Sequence, residues 1–132
     1  MIRPKRLNCV GIVVRDLQAS LVWYKQHFGF EKLFDVSNGV VIGADGVELW
    51  LAQADDPDNA KRANTKEDIC IRLLAFEVSP EDLAHAETEF SQDKDIVWID
   101  HPRYESCIIE DLDGHSIELY VDKPVPPPGK AK

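Results

Sequence analysis

Hydrophobic and polar positions alternate along this chain in blocks that name their own secondary structure. Residues 7–14 form an apolar, β-branched run that stops at Arg15-Asp16 and predicts a strand. Asp16 is a good N-cap for a helix over residues 17–27. Leu17, Leu21, Tyr24 and Phe28 fall on one helical stripe, and Gly29 stops the helix. Residues 30–36, 39–43 and 47–53 then read as short strands, separated by the turn sequences Ser37-Asn38-Gly39 and Ala44-Asp45-Gly46.

Residues 54–68 are polar, contain Pro57 and lack periodicity, which predicts a linker. The order then repeats. Residues 69–78 predict a strand. Ser79 caps a helix with Pro80 at its first position, running to about residue 90. Residues 96–100, 104–110 and 116–121 predict three more strands. The tail over 123–132 is Pro-rich and is expected to be disordered.

The halves match in sequence as well as in order. Asp45-Gly-Val-Glu-Leu-Trp-Leu closes the first, and Asp113-Gly-His-Ser-Ile-Glu-Leu-Tyr-Val closes the second with one extra residue. Duplication accounts for this. The expected fold is α+β: one domain over 1–122, with a first β-α-β-β-β module (7–53), a linker (54–68) and a second module (69–121). Together these form a curved mixed sheet around a cleft.

Strand side chains alternate between two faces. In the closing strands Val47, Leu49 and Leu51 point one way, as do Ile117, Leu119 and Val121; the helices can cover this face. Glu48 and Trp50 point the other way, as do Ser116, Glu118 and Tyr120. On the opening strands Cys9, Gly11 and Val13 match Leu73, Ala75 and Glu77 on that second face. Such a face can lie in water, line a ligand cleft or meet a second subunit. Its apolar content favours the last two. His101, at a strand end, and Tyr104, at a hairpin, are placed to line the mouth of a cleft. His27 and His85 fall on helices and read as surface or capping residues. Trp98 reads as core or subunit contact.

The chain has 132 residues, 15 basic and 24 acidic, for a net charge of −9. That disfavours nucleic acid, which needs clustered Lys and Arg; it would suit a cationic ligand, while the plainer reading is that the charge keeps the protein soluble. No apolar run approaches the roughly 20 residues that span a bilayer, so no membrane partner is expected. The basic N-terminus lacks the apolar stretch of a secretion signal, and the cytoplasm is the expected location. Cys9, Cys70 and Cys107 show no zinc or disulfide spacing. All three sit in apolar stretches and are expected to be buried free thiols.

Two motifs carry a family resemblance. Cys9-Val-Gly-Ile-Val-Val-Arg-Asp-Leu-Gln-Ala-Ser-Leu-Val-Trp-Tyr, followed by Phe28-Gly-Phe, is the first; Asp111-Leu-Asp-Gly-His-Ser-Ile-Glu-Leu is the second. Over residues 7–121 the chain resembles the vicinal oxygen chelate superfamily, which includes glyoxalase I, bleomycin-resistance and fosfomycin-resistance proteins and extradiol dioxygenases. The resemblance implies the paired-module fold, a homodimer, and metal ligands on the opening and closing strands. Those positions are Cys9, Glu48, Leu73 and Glu118, where the family's two His are replaced by Cys9 and Leu73. Leu73 cannot bind a metal, and Cys9 with two carboxylates is an unusual set.

Three readings follow. The first is a small-molecule-binding protein of the bleomycin-resistance type, without the family's metal or another cofactor. Its pocket of Cys9, Gly11, Trp50, Leu73, Ala75, His101, Tyr104, Ser116 and Tyr120 would take an aromatic or cationic ligand. The second is a lyase, isomerase or dioxygenase that holds a divalent metal on Cys9, Glu48 and Glu118 and moves protons with Glu48 or Glu118. The third is a non-catalytic oligomeric module.

Overall fold

Each module is organised around its last strand. The structure, a computed structural model, describes residues 1–93 and 95–124. In the first module β1 (Val10–Val14), α1 (Leu17–Phe28), β2 (Glu31–Val36), β3 (Gly39–Ala44) and β4 (Val47–Gln53) follow in order. The second repeats the pattern with β5 (Leu74–Glu77), α2 (Pro80–Glu89), β6 (Val97–His101), β7 (Tyr104–Glu110) and β8 (Ser116–Asp122). The sheets have the orders β1-β4-β3-β2 and β5-β8-β7-β6. In both, the opening strand is parallel to the closing strand and the rest are antiparallel. The fold is therefore α+β, two β-α-β-β-β modules with mixed sheets. Chain contacts divide it into one unit ending at Arg62 and another beginning at Ala63, so the expected linker is shared between them.

The helices form where local chemistry stops competing structures. The Asp16 carboxylate accepts a hydrogen bond from the Ala19 amide at 3.1 Å and so caps α1. At the other end Gly29 takes φ 68°, the left-handed conformation that costs glycine little. Ser79 caps α2 in the same way, through the Asp82 amide at 3.1 Å, with Pro80 at the first turn. Gln53, at the end of β4, fastens the first helix to the sheet. Its oxygen accepts from the Leu17 amide at 3.0 Å, and its nitrogen donates to the Arg15 carbonyl.

Parity decides what is buried. Leu49 and Leu51 are buried beside Ile12, Val14, Val40 and Ile42 in the first module. Ile117 and Leu119 are buried with Cys107, Ile109, Leu83, Ala86 and Phe90 in the second. Tyr24 of α1 stacks near Phe30, with ring centroids 6.2 Å apart, and Phe28 lies between 5 and 6.5 Å from both. Trp23 edges onto Tyr24 and His27, both at 4.8 Å, so it belongs to this aromatic cluster.

Several boundaries differ from expectation: the first strand begins at Val10, not at residue 7, which leaves Cys9 just outside it. The fifth strand begins at Leu74, not at residue 69, so Ile69 and Cys70 lie outside it and are fully exposed or exposed. Cys70 is thus not the buried thiol its apolar neighbours suggested, and Cys9 is only partly buried. Short-range apolar composition cannot tell a strand from the approach to one. The last strand runs to Asp122, and Lys123 is tied back by its amide to the Arg103 carbonyl at 2.9 Å and by its ammonium to Asp100. The remainder of the expected disordered tail, residues 125–132, lies outside the described residues.

The turn before β8 rests on one buried carboxylate. Asp111 is 5% exposed, and its Oδ1 accepts from the Asp113 and His115 amides, both at 2.9 Å. Gly114 completes the turn at φ 87°. Asp111→Ala leaves two amides without their charged acceptor. It is expected to lower stability by about 2 kcal/mol, read as a lower urea midpoint at unchanged slope.

Candidate functional site

The face of each sheet turned away from its helix carries the candidate residues. In the first module Gly11 of β1 pairs with Trp50 of β4, and Val10 pairs with Leu49. Continuing that register puts Cys9 alongside Glu48. The Cys9 thiol responds to this placement: burial raises its pKa first, and the Glu48 carboxylate raises it further, against a hydrogen bond from the Trp50 backbone.

Trp50 lies across three strands. A Cβ added at Gly11 would meet the six-membered ring of Trp50 at 2.7 Å, and one added at Gly39 would meet the Leu51 carbonyl oxygen at 2.1 Å and the indole nitrogen at 2.9 Å. The indole therefore spans from β1 over β4 to β3, and the two glycines let it lie flat. Its outer surface stays open, with Trp50 41% exposed. Val13 and Phe34 are each more than half exposed. Pairing sets them on this same face, since Val13 faces Ala52 and Phe34 faces Val41, the partner of Trp50. A large apolar surface held open in this way is a surface for contact.

The second module presents a more polar version. Pairing puts Ala75, Glu118 and Ile108 in one row and Glu77, Tyr120 and Ser106 in the next. Ser106, only 1% exposed, donates its hydroxyl to Glu118 Oε2 at 2.8 Å. Burial raises the Tyr120 phenol, and so do the carboxylates of Glu77, Asp122 and Glu118, in that order. Tyr104 and Ser116 share the face; the Ser116 hydroxyl lies 2.9 Å from that of Thr65. His101 stacks on Tyr104 with centroids 4.6 Å apart, and its Nδ1 accepts from the Arg103 amide at 3.0 Å.

Among the sequence candidates, Cys9, Gly11, Glu48 and Trp50 thus share a face in the first module. Ala75, His101, Tyr104, Ser116, Glu118 and Tyr120 share one in the second. Leu73 precedes β5 and has no partner in its register. If the modules are matched through their closing strands, the counterpart of Cys9 is Ala75, which pairs with Glu118, two residues beyond Leu73. His27 packs on Trp23, and His85 pairs with Glu89 at 3.5 Å on an exposed helix face. Ser106 was not singled out from the sequence; only the register shows that its hydroxyl reaches Glu118. Trp98 pairs with Cys107 and so lies on the helix side of its sheet, half exposed.

The donor chemistry does not fit a family-type metal centre. Neither Leu73 nor Ala75 has a donor atom. The thiolate is the ligand form of cysteine, and Cys9 is held toward the thiol. Glu118 already accepts a buried hydroxyl. Among the described residues, no three His, Cys, Asp or Glu side chains are grouped to hold a metal ion. No described helix is long and apolar enough to cross a membrane.

The cysteines offer a check on these environments. Cys107 is 0% exposed, and burial, with a smaller contribution from Glu118, pushes its thiol up to about 11. In the unfolded chain it titrates near 9.0. The folded state then holds the proton more tightly, so this contribution is complete below pH 9 and is lost as pH rises toward 11. Cys107→Val is expected to remove about 2 kcal/mol of the alkaline fall in stability, measured by urea unfolding at pH 8 and 10.5. In native protein, iodoacetamide is expected to label Cys70 first and Cys107 last, read by peptide mass spectrometry.

The family model for the Glyoxalase/Bleomycin resistance protein/Dioxygenase superfamily matches residues 6–119. A search of curated proteins found no significant match. Among solved structures, the chain is similar to a glyoxylase/bleomycin resistance protein/dioxygenase domain from Frankia sp. EAN1pec, with TM-score 0.77 and 18% identity over 92% of this chain and 94% of that one. It is similar to a lactoylglutathione lyase from Agrobacterium tumefaciens, with TM-score 0.63 and 20% identity over 89% and 94%. A fosfomycin resistance protein from Listeria monocytogenes, solved with Mn(II) and sulfate, gives TM-score 0.66 and 17% identity over 92% and 93%. At these identities the structural matches establish the fold.

Proposed function

The chain belongs to the glyoxalase/bleomycin resistance protein/dioxygenase superfamily, and from that membership we propose that it binds a small aromatic cation without the superfamily's metal. The observation that carries this reading is Trp50, laid over Gly11 and Gly39 with its outer face open. A flat indole attracts a cation over its face, worth about 0.5–2 kcal/mol according to how dry the site is. Glu48 stands two positions away on the same face, roughly 7 Å along the strand, within reach of a ligand stacked on the ring. The net charge of −9 draws cations toward the protein.

The lack of a donor atom at Leu73 or Ala75, with Cys9 held toward the thiol, supports binding over metal-assisted chemistry. Cys9, uncharged as a thiol, then lines the site beside Gly11 and leaves Glu48 as its charge. On the second module Ser106 holds Glu118 in place, which suits a fixed hydrogen-bond acceptor. We propose a homodimer in the cytoplasm as the working form; the exposed Val13 and Phe34 supply apolar surface for a partner, and the free cysteines suit a reducing compartment.

Thermal shift and calorimetry against cationic antibiotics and planar aromatic cations test this. At least one cation is expected to bind with micromolar affinity, weakened about tenfold by Trp50→Ala and severalfold by Glu48→Gln. No binding across the panel contradicts the reading. So does one equivalent of Mn, Zn, Ni or Fe in protein purified without chelator and lost on Glu118→Gln, which favours the metal enzyme.

A further inference from the structure

The two modules share a topology, so each is a control for the other, and they differ in how the helix covers the sheet. Helix α1 has twelve residues and packs on β4 and on the outer strand β2. Its Tyr24 and Phe28, with Phe30, fill the space between. Helix α2 has ten residues and packs on β8 and β7. The second module buries Phe90 at the end of α2, and toward the outer strand α2 offers Leu83 and Ala84. The outer strand β6 is left under-covered, and Trp98 on its helix side is 50% exposed.

The result is a groove of about 410 Å³ between α2 and the outer part of the sheet. Pro80, Leu83 and Ala84 form one wall, and Trp98 and Val121 lie across from them. Val121 continues the row of Ile117 and Leu119, so the groove opens on the helix side of the sheet. The Glu118 and Tyr120 face is on the other side. The polar residues lining the groove are Ser106 and two carboxylates, Asp100 and Glu105, which pair with each other across β6 and β7. Lys123 neutralises Asp100 through its ammonium, and Glu105 remains the exposed negative charge.

We propose that this groove is a second ligand site, separate from the Trp50 face, for a small aromatic cation. The ring enters between Trp98 and the Leu83–Ala84 wall, and the cationic group rests toward Glu105. The volume lies in the range of small-molecule pockets, and an apolar body with a few placed polar groups is how such pockets choose ligands. Indole and carboxylate together favour a cation over a neutral ring of the same shape.

Naphthylmethylammonium, with neutral naphthylmethanol as its control, tests the proposal by calorimetry and by nitrogen–proton correlation spectra. Saturable shifts of the Trp98 indole resonance are expected. Affinity is expected to fall about tenfold in Trp98→Ala, read by calorimetry in Trp50→Ala protein, and about tenfold in Ala84→Phe, read from that resonance; Ala84→Phe fills the groove from an exposed helix position without removing any contact. Glu105→Gln is expected to weaken the cation about threefold and to leave the neutral control unchanged. In Trp50→Ala protein the Trp98 titration is expected to persist, so failure of the first site does not imply failure of the second. A Trp98 resonance that does not move, equal affinity for cation and neutral control, or unchanged binding in Ala84→Phe each overturns the proposal.

Discussion

In each module the closing strand is clasped between the opening strand, parallel to it, and the third strand, antiparallel to it. Everything else depends on that clasp. It makes β4 and β8 central, so one side of each must be apolar and shielded by a helix. Leu49, Leu51, Ile117 and Leu119 meet that demand. Because alternation is strict, the same demand turns Glu48, Trp50, Glu118 and Tyr120 to the opposite face. A one-residue slip would bury the carboxylates and expose the leucines. The functional face is thus set by the cost of burying charge as much as by any ligand.

From this common frame the modules have taken different chemistry. The first keeps glycine on both strands beside Trp50, and the ring spreads over the sheet as an open aromatic surface. The second places Ser106 beneath Glu118 and Glu77 beside Tyr120, so its face is a polar network rather than a stacking surface. The helices diverge as well. Aromatic packing closes the helix side of the first sheet, and a shorter, alanine-bearing helix leaves a groove beside Trp98 in the second.

Much of this was legible in the amino-acid order. Caps at Asp16 and Ser79, the glycine stop at Gly29 and the two Asp-Gly turns are local signals, and local geometry obeys them. Parity is also local, so the facing of Glu48 and Glu118 followed from counting residues. Register is not local. Whether Leu73 or Ala75 stands beside Glu118 depends on where β5 begins to pair, and the apolar approach at residues 69–73 hides that point. The same ambiguity misplaced Cys70. The Ser106–Glu118 bond and the flat seating of Trp50 likewise need two or three strands brought together, which no single stretch of chain encodes.

The central claim is that the open indole of Trp50 is a ligand surface. Intermolecular nuclear Overhauser effects between a bound aromatic cation and the protein test it most directly. The account requires contacts from the ligand ring to the Trp50 indole protons and to the exposed Val13 side chain. Saturated ligand with no contact to Trp50, or with contacts confined to residues of the helix-covered face, would contradict it.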